Sequence, residues 1–508
     1  MTFDVVISGG RVLDGTGAPP FRADVAISGD RIAAVGRIDP AGAGAVIDAT
    51  GRFVAPGFVD CHAHGDAAVF DPAVQRAALR QGVTTFVLGQ DGLSFAPGSA
   101  ATVAYASRYF AAVNGALTDG PLSVRELLDG YDGAVALNTA YLLPHGTIRY
   151  DVMGPSPDKA APADLDAMVR RVEQGLSEGA VGLSSGLEYL PGRYADAAEL
   201  AALCAPLGGL PYVTHMRAYG ERAETGMTEV MEIAELSGAA VHVSHLHGPA
   251  DVLLPLVEQA LGKGVDLTFD TYPYLRGNTI LAMVVLPPSV PGAEPEAAME
   301  MIGSGVLDDW WPTLDAVWPR LTVSHAPGLE WAEGLTMVAA AERAEVSPAQ
   351  FCRRLLTETR LEAGVVTARP DEGPQGEQSV RRMLRHPSQT GGSDGIYVGG
   401  HPHPRGHGAF ARFLARHVRE LGDWTWEQAV THLSAHPARR FGLLDRGLLR
   451  QGCAADVVVF DPATVTDLAT YPAPRTLAEG VDDVLVSGVP VLARGELTGA
   501  TPGRALRP

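Results

Sequence analysis

The sequence predicts an α/β protein: a (β/α)8 or TIM barrel, a small β-sandwich built from both chain ends, and a subdomain inserted between barrel strands seven and eight. Strand and helix patterns alternate through the middle of the chain, the mark of a parallel α/β fold. Short strand-like stretches punctuated by Gly and Asp occupy both ends. One connection, about 115 residues long, exceeds any ordinary loop.

In chain order, residues 1–56 form the first part of the sandwich. FDVVISGGRVLDG, ADVAISGDRIAAVG and AVIDATGRFVAPG alternate apolar and polar residues between turn signals, a pattern of hairpins. Residues 57–435 form the barrel. Its strands are read at 57–64, 82–90, 134–143, 180–186, 211–216, 240–246, 265–273 and 389–395, with helical segments such as 163–179 and 227–238 between them. In such a barrel the active site lies at the C-terminal strand ends. The insertion, about 275–388, holds the Pro-rich LPPSVPGAEPE, the aromatic DDWWPTLDAVWP, the strand-like RLTVSHA and two helical stretches; it is expected to cover the site as a lid. His325 within it reads as structural. Residues 436–508 supply the last helix and the second sandwich part, including ADVVVFDP and VDDVLVSGVPVLARGEL.

Composition narrows the function classes. With 508 residues and 46% hydrophobic content the chain can bury a large core. A formal charge of −20 argues against nucleic acid as a partner. No apolar run of about 18 residues suggests a membrane span. The N-terminus lacks a basic region followed by an apolar one, so no signal peptide is read. Cys61, Cys204, Cys352 and Cys453 are scattered without a framework spacing, which points to reduced thiols and the cytoplasm. Oligomeric state is not legible.

The chemistry concentrates in GFVDCHAHGD. Side chains alternate faces on a strand, so His62 and His64 share one side, half of a metal site for an ion that favours neutral imidazole. Cys61 alternates away from them and reads as a small core residue. Further candidates stand at other strand ends: His215 in PYVTHM, His245 in AVHVSHL and Asp394 in QTGGSDG.

An HxH pair, single His residues on two consecutive later strands and a late Asp resemble the amidohydrolase superfamily. GFVDCHAH, GVTTFVLGQDGLS, PHGTIR, GLSSGLEYLPGRYA, THMR, VSHLH, FDTYPY, GGSDG, HPHPRGHGAFARFLARHVRE and HPARRFGLLDRGLLRQG resemble its N-acyl-D-amino-acid deacylase (D-aminoacylase) branch over nearly the whole chain. The resemblance implies one or two Zn²⁺ ions and a small-molecule N-acyl amino acid, either an N-acyl-D-amino acid or an Nε-acyl-lysine. Metal held by His215, His245 and Asp91 would activate water, and His62 and His64 would bind a second metal or orient the first. Asp394 would serve as ligand and as general base turned acid. Tyr189 and Tyr272 are candidate hydrogen-bond donors to substrate.

Departures from the branch matter as well. Its usual Gly-Asn-Cys-Gly reads Gly89-Gln90-Asp91-Gly92 here, so a carboxylate stands where the branch has a Cys ligand. Glu188 is the fallback ligand. Lys159, in a polar loop, and Lys263, in a Gly-Lys-Gly turn, are the only lysines, which excludes the carbamylated Lys bridge of other relatives. Where the branch holds the substrate carboxylate with Lys, this chain has His247. Arg276 or Asn278, after the YPY motif, would then help to bind it. His401, His403 and His407 read as structural. A dipeptidase or cyclic-amide hydrolase on the same scaffold is the alternative enzyme, and a non-catalytic metal-binding protein the alternative from another class.

Overall fold

The computed structural model describes residues 2–117 and 120–508. Eight short strands form the barrel. In order they are Phe58–Asp60, Val83–Leu88, Asn138–Tyr141 continuing into Leu143–Pro144, Leu183–Gly186, Tyr212–His215, Val241–Val243, Leu267–Asp270 and Gln389–Thr390. Every pairing among them is parallel. Ala63–His64 pairs with Gly395–Ile396 in the same sense, and Cys61 N–H bonds Gly391 O, so strand eight returns to strand one.

The strands are buried almost throughout because both faces are covered. Alternate residues Phe58, Phe86, Tyr141, Leu183 and Tyr212 belong to the large core. Their neighbours Val59, Val87, Ala140 and Val213, with Val181 just before strand four, form a separate buried cluster inside the barrel, against which Ala438, Phe441 and Leu443 pack. The strands are shorter than their apolar patterns suggested. Residues 134–137, for example, precede strand three as a turn, because Gly133 takes a φ of +69° there.

Both chain ends meet in the sandwich. A four-stranded sheet runs Arg31–Gly36, Asp24–Ser28, Val5–Ser8, Ala45–Asp48. A seven-stranded sheet joins Glu496–Leu497, Val489–Ala493, Val481–Val486 and Val457–Phe460 to Phe53–Pro56, Arg11–Val12 and Phe21–Arg22. The expected hairpins account for only part of this: Val5–Ser8 pairs antiparallel with Asp24–Ser28 but parallel with Ala45–Asp48, since the intervening strands leave the first edge free for the later one. Val5, Ile7, Val25, Ile27, Val54, Val457 and Leu485 fill its core.

The inserted segment builds an antiparallel sheet of Arg276–Ile280, Gly364–Ala368 and Leu321–His325. It has its own core around Leu281, Trp311, Trp318, Val323, Phe351 and Val365. Among the described residues, no helix is long and apolar enough to cross a membrane.

Candidate active site

The chain turns sharply at the barrel mouth. Strand one breaks after Asp60, and His62 sits in a bend before Ala63–His64, so the HxH is not one continuous strand. The break follows from Asp60, whose Oδ1 accepts from the His62 and Ser393 backbone N–H groups and draws the chain aside. Asp91, His245 and Asp394 take φ values of +56°, +34° and +51°. Left-handed backbone costs an L-residue roughly 1–2 kcal/mol, and such strain gathers where side chains must be aimed.

These turns bring six predicted residues together. His62 Nδ1 donates to Asp270 Oδ2 at 3.3 Å, which turns Nε2 to within 3.5 Å of Asp91 Oδ1 and 3.8 Å of Asp394 Oδ1. His64 Nδ1 lies 2.9 Å from Asn114 Oδ1, and the Asn114 amide is oriented by donating to Leu93 O at 2.7 Å. His64 Nε2 therefore faces Asp91 and Asp394 at 3.6 and 3.4 Å. Across the mouth, His215 Nδ1 and His245 Nε2 are 2.9 Å apart, with Asp91 Oδ2 at 3.4 and 3.5 Å. Glu188 meets the opposite nitrogen of His215, Nε2, at 3.0 Å. It thus stands behind that imidazole, not beside Asp91 as a fallback ligand would.

Among the described residues, three groups of three side chains have ligand atoms close enough to share an ion, and two of them stand at the mouth: His62, His64, Asp91 and Asp91, His215, His245. Asp91 belongs to both. His62 Nε2 and Asp91 Oδ1 are buried without a hydrogen-bond partner, a costly arrangement that an ion between them would relieve. Imidazole nitrogen with carboxylate oxygen is a donor set that suits zinc. The residues present therefore fit the metal.

The electrostatics are those of a dense, buried charge cluster. Burial alone would lower the His64 and His215 imidazoles, but adjacent carboxylates reverse this and push both up to about 10. Burial would raise Asp91, yet His245 and His215 hold its carboxyl well below the ordinary range. Asp394 is likewise kept low against burial, chiefly by Arg405, whose guanidinium Nη1 is 2.8 Å from its Oδ2.

Beside the cluster opens a cavity of about 530 Å³. Tyr189, His247, Tyr272 and Asn278 all line it, with Tyr219, Arg369, Met283 and Val284. Arg276 is the exception. Its guanidinium pairs with Glu372 at 2.6 Å and lies 4.3 Å above the Tyr471 ring, outside the lining. Alternation sets Arg276 on the same face as Asn278, but at the strand's first residue its long side chain is drawn outward by the Glu372 carboxylate and the Tyr471 ring. Burial and the nearby Arg369 lower His247 to about 3, so it is neutral. His325, His401 and His403 do not line the cavity; His401 Nε2 and His403 Nε2 instead face Tyr471.

Sequence reasoning missed Arg405, Asn114 and Tyr219. Arg405 is fully buried, 4.6 Å above the Tyr272 ring. A buried Arg needs a counter-charge, and the His residues around it in HPHPRGHG drew attention from it. Tyr219 stacks on His247 at 4.7 Å and 9°.

Residues 45–492 match the model of the Amidohydrolase family. The chain is 36% identical over 519 residues to the N-acyl-D-glutamate deacylase of Alcaligenes xylosoxydans xylosoxydans, covering 99% of this chain and 96% of that protein. It is 32% identical to the D-aminoacylase of the same organism, over 99% and 97% of the two chains. Among solved structures, the N-acyl-D-glutamate deacylase from Bordetella bronchiseptica, complexed with zinc and a phosphonate mimic of the tetrahedral intermediate, superposes with a TM-score of 0.86 at 32% identity and full coverage of both chains. The chain whose barrel mouth carries this histidine–aspartate cluster thus belongs to the amidohydrolase family, in its D-aminoacylase branch.

Proposed function

We propose that the protein is a zinc-dependent hydrolase that cleaves the linear amide of N-acylated amino acids, with N-acyl-D-amino acids as the first substrates to test. The carrying observation is the pair of three-residue groups sharing Asp91, set against Asp394 on the wall of the cavity. His215, His245 and Asp91 would hold one zinc ion, and His62, His64 and Asp91 a second. When bound, zinc supplies a lowered pKa for water and polarises the acyl carbonyl.

The chain's own residues do the rest. Asp394, kept ionised by Arg405, accepts the proton of the attacking water on its carboxylate and returns it to the leaving nitrogen. Tyr272, Asn278 and Tyr189 offer polar groups along the wall for the substrate's own polar groups. His247, being neutral, supplies no charge for a substrate carboxylate; the cations at the cavity wall are Arg222, Arg320 and Arg369. Met283, Val284 and Val113 give the apolar surface an acyl chain needs. Residues 57–435 carry the chemistry, with about 275–388 as the covering insertion, and 1–56 and 436–508 as the flanking sandwich. Four buried free thiols suit a cytoplasmic enzyme.

The test is a screen of N-acetyl-D-amino acids, N-acetyl-L-amino acids and Nε-acetyl-lysine, with release of free amine as readout. Zinc-dependent release from at least one of the three sets is expected. Absence of release from all three, with zinc bound, overturns the reading.

A further inference from the structure

Asp270 ends barrel strand seven, and its fully buried carboxylate touches residues of two other strands. Oδ2 accepts from His62 Nδ1 at 3.3 Å and from His242 Nε2 at 3.1 Å. Oδ1 accepts from the backbone N–H of His245 at 2.9 Å. On its far side His242 Nδ1 meets Thr268 Oγ1 at 2.8 Å, and the Cys61 thiol meets Thr390 Oγ1 at 3.2 Å. Cys61, His242 and Asp270 are close enough to suggest a third ion, but these contacts already join each of them within the protein. The group is a hydrogen-bonded support beneath the metal-ligand cluster.

We propose that Asp270 is the positioning residue that sets both ligand groups at once. The inference rests on the zinc reading above. A carboxylate can only accept, so it fixes the proton of His62 on Nδ1 and leaves the Nε2 lone pair facing Asp91 and Asp394. The same side chain pins the amide of His245, whose left-handed φ of +34° needs such a restraint to persist. One anion therefore orients an imidazole of the first group through its ring and an imidazole of the second through its backbone. Asn114 and Glu188 each serve one histidine only.

Asp270→Asn tests this. An amide has a single acceptor oxygen, and its NH₂ cannot accept from His62 or from the His245 amide. In the folded variant, zinc dissociation constants measured by competition with a chromophoric chelator should rise ~10- to 100-fold. The visible spectrum of the cobalt-substituted protein should change with them. The loss should also be non-additive with His62→Ala at the subsite they share. Wild-type affinity and an unchanged cobalt spectrum in Asp270→Asn overturn the proposal. Should the variant not fold, ¹⁵N-histidine spectra of the wild-type protein decide, with His62 assigned by its loss in His62→Gln: a proton on Nδ1 supports the proposal, and an unprotonated Nδ1 overturns it. A wild-type protein that binds no zinc would instead sink the functional reading itself, so the two failures are distinguishable.

Discussion

A carboxylate has two oxygens where a thiolate has one sulfur, and Asp91 uses both. Oδ1 faces His62, while Oδ2 faces His64, His215 and His245. Asp91→Ala should therefore empty both subsites together, with zinc content after dialysis falling to background. Asp91→Cys should keep at least one ion; full zinc content in Asp91→Ala would remove Asp91 from the ligand set. Asp394→Asn separates a different role, because an amide cannot take the water's proton. Its kcat should fall ~10²-fold or more while zinc content stays at the wild-type value. That these residues would meet at the barrel mouth was legible in the sequence, because His and Asp recur at strand ends in a fixed order. Asn114 and Arg405 were not, since their significance comes from atoms on other elements. The Arg276 assignment failed for a similar reason: its neighbour Glu372 is distant in sequence but adjacent across the insertion.

At the scale of elements, the strand-two turn determines whether Asp91 reaches the site. Gly89 takes a φ of +75°, and a Cβ there would run into Leu142 O and the Tyr141 ring. Gly89→Ala should lower stability by more than the ~1 kcal/mol typical of conformational strain alone, because the obstacle is backbone. It should also reduce zinc affinity by displacing Asp91. A melting curve with parallel metal analysis checks both, and an unperturbed variant would show that the turn has slack. The inserted segment's helix Pro348–Glu358 opens with a capping box from Ser347 and Gln350. Helix patterns and turn glycines of this sort are written locally and can be read from the chain. The short, broken ends of strands one and eight are not, because the Asp60 contacts to His62 and Ser393 that bend them arise only when the barrel closes.

For the whole molecule, pH dependence follows from histidines buried away from the site. His407 is pulled down to about 4 by burial and by Arg475, against an ordinary value of 6.5. The unfolded chain takes up the proton first as pH falls, so protons favour unfolding. Its contribution is intact above about 6.5 and is lost progressively towards about 4, a change of about 3 kcal/mol for this one group. Denaturant titrations of the zinc-loaded protein should show stability dropping across that window, and His407→Gln should flatten the slope. An unchanged slope in His407→Gln would place the acid sensitivity elsewhere. The parallel barrel and the joining of both ends in one sandwich were readable from strand–helix alternation and from the matching terminal strands. The mixed parallel and antiparallel pairing of that sandwich was not, since alternation marks a strand without naming its partner.

A zinc centre that hydrolyses N-acyl amino acids must lose its activity with its metal and regain it with zinc. The most direct measurement strips the protein of metal, titrates zinc back, and quantifies the free amino acid released from an N-acyl-D-amino acid at each point. The stripped protein should give no product, and the rate should rise with zinc and saturate at one or two equivalents. Full turnover by the stripped protein, or zinc binding with no amino acid released from any N-acyl amino acid tried, would contradict it.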